Sequence, residues 1–166
     1  GLVYFVGTKT SALERHLYAV PLAGGEIRKI TGDRGVHGLL SHGAYRLTMD
    51  HAHQGFVDLH SASDRLPRAE IRGADGSLKG QLPIADEPEL ASLHLRTPKL
   101  VEVQSAAGDT LHGALLEPRH VEPGKRYPVI VMVYGGPGIQ LVLDQWAPRL
   151  LWQHLADRGF AVFQLD

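Results

Sequence analysis

Residues Tyr127-Pro128-Val129-Ile130-Val131-Met132-Val133-Tyr134-Gly135-Gly136-Pro137-Gly138 form the stretch from which the architecture is read. The run Val129 to Tyr134 is apolar on both faces, as expected of a central strand in a covered sheet, and it ends in a glycine-rich loop. A helix is expected after that loop, over 148–158. Pro148 suits a first helical position, Leu151, Trp152, Leu155 and Ala156 recur at helical spacing, and Gly159 suits a left-handed C-terminal cap. Phe160-Ala161-Val162-Phe163-Gln164-Leu165 then reads as a second apolar strand. Strand, loop, helix and strand make a βαβ unit, whose crossover is expected to be right-handed.

Upstream of this unit, Leu100 to Gln104 and Thr110 to Leu116 pair around the turn Ala107-Gly108-Asp109, so an α/β region is expected over 99–166. Residues 1–72 have another texture. Val3 to Gly7, His16 to Pro21, Glu26 to Ile30, Val36 to Leu40, Tyr45 to Asp50, Gly55 to His60 and Arg68 to Arg72 are short β-prone runs with turn residues between them. Roughly four strands per ~40 residues is the spacing of β-propeller blades rather than of βαβ units. Residues 73–98 are polar and turn-rich, and read as a connector with one short helix near Glu87 to Leu93.

The chain has 166 residues, 17 Lys plus Arg and 18 Asp plus Glu, for a formal charge of −1. A near-neutral chain without a basic run lacks the electrostatic footprint of a nucleic-acid binder. Its longest strongly apolar runs fall far short of the ~20 residues of a spanning helix. There is no cysteine, which removes disulfides, Cys-ligated zinc and Cys nucleophiles and leaves the compartment open. The opening Gly1-Leu2-Val3-Tyr4-Phe5-Val6 carries neither an initiator Met nor a charged segment before an apolar one, so the chain reads as a piece of a longer protein. The last strand, 160–165, is expected to present an unpaired edge.

The loop after Tyr134 is the most informative candidate site. It leaves the C-terminal end of a strand, where open α/β sheets bind ligands, and its glycines permit close backbone approach. With neither G-x-G-x-x-G nor a Gly-Lys-Ser/Thr ending, it is not a phosphate cradle. Among the ten histidines, His51 and His53 are two apart on an expected strand edge and have the spacing to chelate zinc, as do Asp58 and His60. No third ligand accompanies them, and both pairs are read as partly exposed strand residues. Glu14-Arg15-His16 reads as a surface ion-pair group, and Trp146 and Trp152 as packing residues.

Six ordered segments carry a resemblance across the whole chain. Gly7-Thr8-Lys9, Leu13-Glu14-Arg15-His16-Leu17-Tyr18, Pro123-Gly124-Lys125-Arg126-Tyr127-Pro128, Val133-Tyr134-Gly135-Gly136-Pro137, Gln140-Leu141-Val142 and Leu155-Ala156-Asp157-Arg158-Gly159-Phe160-Ala161-Val162 resemble, in that order, the dipeptidyl peptidase IV branch of the prolyl oligopeptidase family. The resemblance implies a mixed fold: antiparallel terminal β-propeller blades (1–72), a connector (73–98) and the N-terminal part of an α/β-hydrolase domain (99–166). It implies a serine peptidase that releases N-terminal dipeptides with Pro or Ala in second position, without a cofactor, in a family whose members often dimerise.

By motif, Tyr134 is the tyrosine whose hydroxyl donates to the reaction's oxyanion. No G-x-S-x-G occurs, and none of the seven serines lies between glycines. The resemblance therefore implies that the nucleophile and its Asp and His partners lie outside these residues, and that the piece is inactive alone. The alternatives are an oligopeptidase or acylaminoacyl peptidase of the same family, and a non-catalytic propeller binding module.

Overall fold

The structure is a computed structural model that describes residues 1–41, 44–85 and 87–166. The chain divides into two compact units. The first comprises Gly1–Asp86 with Leu143–Trp146, and the second Glu87–Val142 with Ala147–Asp166. The first is mostly antiparallel β-structure. Leu2–Gly7 (β1), His16–Pro21 (β2) and Arg28–Lys29 (β3) form one sheet in that order. Val36–His37 (β4), Thr48–Met49 (β7), Gly55–Ala62 (β8), Arg65–Gly73 (β9) and Leu78–Leu82 (β10) form a second, in the order β10-β9-β8-β4 with β7 also on β8. Leu39–Ser41 (β5) and Ala44–Arg46 (β6) pair with each other.

The apolar core of this unit is Leu17, Ala19, Ile30 and Phe56, with Tyr4, Leu47 and Met49 against it. Burying each large member contributes about 1.5–3 kcal/mol. On β8, Phe56, Asp58 and His60 share one buried face by the two-residue alternation of a strand. A carboxylate and an imidazole thus lie on the core side, where polar groups need partners.

Residues 78–82, read above as connector, are strand β10. Leu78, Lys79, Gln81 and Leu82 are exposed and alternate in no useful way. Pairing with β9 makes the strand, and side-chain pattern does not announce it. The short helix expected nearby is Pro88–Ser92 (α1).

In the second unit, Lys99–Gln104 (β11), Thr110–Leu116 (β12), Val129–Met132 (β13) and Ala161–Leu165 (β14) form a sheet ordered β11-β12-β14-β13. The β11/β12 hairpin is antiparallel, β14 is antiparallel to β12, and β13 and β14 are parallel. Leu150–Asp157 (α2) links the parallel pair. The helix begins two residues later than expected, because Arg149 keeps a non-helical ψ of 92°. Its C-terminus closes as a Schellman turn: Phe160 N–H donates to Leu155 and Gly159 N–H to Ala156, with Gly159 at φ +88°.

The buried face of α2 is Trp152, Gln153 and Ala156, while Leu151 is exposed. Gln153 exchanges two bonds with the Arg96 backbone, at 2.8 and 3.2 Å, and the Arg149 guanidinium lies over the Trp152 ring.

Two strand expectations are corrected. Among the described residues the run at 129–134 takes the end of the sheet rather than a central place: β13 follows β14 in the order, and Val129, Val131 and Val133 are exposed. The strand at 161–165 has no free edge, because β14 lies between β12 and β13. Among the described residues, no helix is long and apolar enough to cross a membrane.

Candidate functional site

Tyr134 stands two residues beyond the end of β13, and Asp166 two residues beyond Gln164, the residue of β14 paired with Met132. Parallel pairing therefore brings both to the same end of the sheet. Gly135 has φ +67°, the left-handed turn that lets the chain leave the strand. The loop returns through Leu141 and Val142, whose amides donate to Oδ2 of Asp166 at 2.7 and 2.6 Å. Charge-assisted bonds of this kind are about twice as strong as neutral ones. Val142 is fully buried, which holds the loop's far end.

Tyr134 itself is half exposed at 51%, and no described residue hydrogen-bonds its hydroxyl. A phenol so presented is a donor available to an acceptor that approaches this end of the sheet.

The first unit holds a buried polar network. His37 places Nδ1 2.7 Å from Asp58 Oδ2 and Nε2 2.9 Å from the Asp33 carbonyl. Each ring nitrogen of His37 thus faces an oxygen partner. Asp58 also accepts from the Gly38 amide. Arg72 donates through Nε to Glu70, through Nη1 to the Gly76 carbonyl, and lies 3.5 Å from Asp58.

The His60 ring stacks on that of His37 at 4.2 Å between centroids, and its Nε2 donates to the Arg34 carbonyl. His16 binds Thr31 Oγ1 through Nδ1 and Glu14 through Nε2. Burial holds both His16 and His60 below the ordinary histidine range, opposed by the bond to Glu14 and the bond to Arg34 respectively.

These positions correct several expectations. His51 and His53 lie in the turn between β7 and β8 rather than on a strand edge, and His53 has φ +52°. Asp50 drives that turn by accepting from the Gln54 and Gly55 amides. Asp58 and His60 are not partly exposed; they are buried and engaged as described. His16 is likewise fully buried, not a surface ion-pair member, whereas Arg15 reaches the Ala12 and Glu14 carbonyls and the Tyr45 ring. Among the described residues, no three His, Asp or Glu side chains are grouped to hold a metal ion. Trp152 is buried and Trp146 partly so.

Sequence reasoning passed over His37, Glu70, Arg72 and Asp166. One signal was available for the first three: Asp58 and His60 alternate in phase with Phe56, which puts them on the core face and calls for partners.

Comparison with known proteins adds four findings. The family described as Dipeptidyl peptidase IV (DPP IV) N-terminal region matches residues 1–66. The chain is similar to Dipeptidyl peptidase 8 of Homo sapiens, 32% identical over 178 residues that cover 99% of this chain and 19% of that protein. It is also similar to Probable dipeptidyl-aminopeptidase B of Neosartorya fischeri, 30% identical over 170 residues, 100% of this chain and 18% of the relative. In fold, it matches the crystal structure of Porphyromonas gingivalis dipeptidyl peptidase 4 with a TM-score of 0.82 at 20% identity, over 100% of this chain and 23% of that one. The chain thus spans about a fifth of the length of these curated relatives.

Proposed function

We propose that this chain belongs to the dipeptidyl peptidase IV branch of the prolyl oligopeptidase family, and that the whole protein is a serine exopeptidase releasing N-terminal X-Pro or X-Ala dipeptides. In this reading, residues 1–72 belong to terminal β-propeller blades and 99–166 open an α/β-hydrolase domain. The sheet order β11-β12-β14-β13, with one parallel crossover through α2, supports the second assignment.

The observation that carries the proposal is Tyr134: a half-exposed phenol whose hydroxyl no described residue engages, on the glycine-rich loop at the C-terminal end of β13. Attack on a peptide carbonyl by a serine moves negative charge onto the carbonyl oxygen, and a fixed donor there lowers the barrier. Tyr134 supplies that donor. Nucleophile, base and orienting acid come from residues beyond this segment, so the segment alone is inert.

The test is hydrolysis by the full-length protein of a Gly-Pro chromogenic dipeptide and of the same compound with its amine blocked. The proposal expects the free-amine substrate alone to be cleaved, and a serine-directed inhibitor to abolish the activity. Equal cleavage of the blocked compound identifies an oligopeptidase instead, and no cleavage of either contradicts the enzyme reading.

A further inference from the structure

Two glycines follow Tyr134, and they serve different ends. Gly135 is in the left-handed region, and a Cβ there would meet nothing within 4 Å, so its requirement is conformational. Gly136 is the reverse case. Its φ lies outside the left-handed region, so the backbone there is open to an ordinary L-residue. A Cβ at 136 would instead lie 2.6 Å from Cε1 of Tyr134, 3.1 Å from Cζ and 3.3 Å from Cδ1. The bare Cα of Gly136 is the seat on which the tyrosine ring rests, and the contact falls at the end of the ring that bears the hydroxyl.

We propose that Gly136 is a positioning residue for Tyr134, fixing where its hydroxyl points by leaving room for the ring and for nothing larger. The inference rests on the reading of Tyr134 as oxyanion donor. A methyl at 136 forces the ring back by about 0.8 Å to reach ordinary 3.4 Å contact. Rotation about the Cα–Cβ bond carries the hydroxyl oxygen further than the ring carbons. A donor displaced by about 1 Å from the developing charge loses much of its effect, on the order of 10²-fold in rate. The ring itself remains in the loop, so substrate binding is largely kept and the loss falls on turnover.

The test measures kcat and KM of the full-length protein and of Tyr134→Phe, Gly136→Ala and the double variant on a Gly-Pro chromogenic dipeptide. Gly136→Ala is expected to lower kcat about 10- to 100-fold with KM within about threefold of the parent. It is expected to have no further effect in the Tyr134→Phe background, because the donor is already gone. A Gly136→Ala turnover within about threefold of the parent, or the same loss in both backgrounds, overturns the proposal. If Tyr134→Phe reduces turnover and Gly136→Ala does not, only the role of Gly136 falls; if Tyr134→Phe is silent, the donor reading and this inference fall together.

Should Gly136→Ala also lower the unfolding midpoint, Tyr134→Ala combined with Gly136→Ala is expected to recover it, since the ring is the obstacle. A double variant no more stable than Gly136→Ala overturns the seat itself.

Discussion

His37 Nδ1 lies 2.7 Å from Asp58 Oδ2, with both side chains fully buried, and this bond joins β4 to β8 inside the first unit. A buried polar contact adds little net stability, but breaking it leaves a buried donor or acceptor without a partner. The Asp33 carbonyl at the other nitrogen and the Gly38 amide on the other carboxylate oxygen complete the arrangement. Truncating Asp58 therefore orphans Nδ1 of His37, while the Gly38 amide keeps the Leu59 carbonyl at 3.0 Å.

Asp58→Ala is expected to destabilise the protein by about 2–3 kcal/mol, since it strands Nδ1 of the buried His37 ring in the core. Denaturant unfolding checks this. A loss below about 1 kcal/mol would mean that the His37 ring finds another partner.

Stability is also expected to fall on acidification. Burial lowers the His16 and His60 values, so the unfolded chain takes up protons near the ordinary value of about 6.5 while the folded chain does not. Their neutral forms are stabilising above the unfolded value, and that contribution is lost as pH drops through it. Glu14, His37 and Lys29 surround His16, and His37, Asp58 and Asp33 surround His60. Unfolding midpoints between about pH 7.5 and 5.5 should decline, and His60→Gln should flatten the slope. An unchanged slope in that variant contradicts the assignment.

Asp166→Ala is expected to release the loop after Tyr134. The amides of Leu141 and Val142 lose a shared carboxylate acceptor, which should speed their hydrogen exchange by about 10- to 100-fold. Exchange confined to parental rates at both amides would show that Val142 burial holds the loop without the carboxylate.

Much of the architecture was legible because it follows local rules. The Gly108 turn carries positive φ, the helix ends at Gly159, and strand-helix-strand spacing gives the parallel pair β13/β14. What escaped depended on partners distant in sequence. β10 exists through pairing with β9 and has no pattern of its own. Val129 and Val131 suit either face of a sheet, so their apolar character does not tell an edge strand from a central one. Glu14-Arg15-His16 looks solvated as a string, yet His16 is buried because Thr31 and Glu14 satisfy both its nitrogens. Tyr134 was legible through the motif around it; Gly136 as its seat and Asp166 as the loop's anchor were not, since both act through contacts that only the folded chain brings about.

The central claim, that Tyr134 stabilises the oxyanion, is tested most directly by kcat and KM of full-length Tyr134→Phe on an X-Pro substrate, with thermal stability followed in parallel. Phenylalanine keeps the ring and its rest on Gly136 and removes only the donor. The account expects kcat to drop about 10²- to 10³-fold with KM little changed and the unfolding midpoint preserved. A turnover within about threefold of the parent would contradict it.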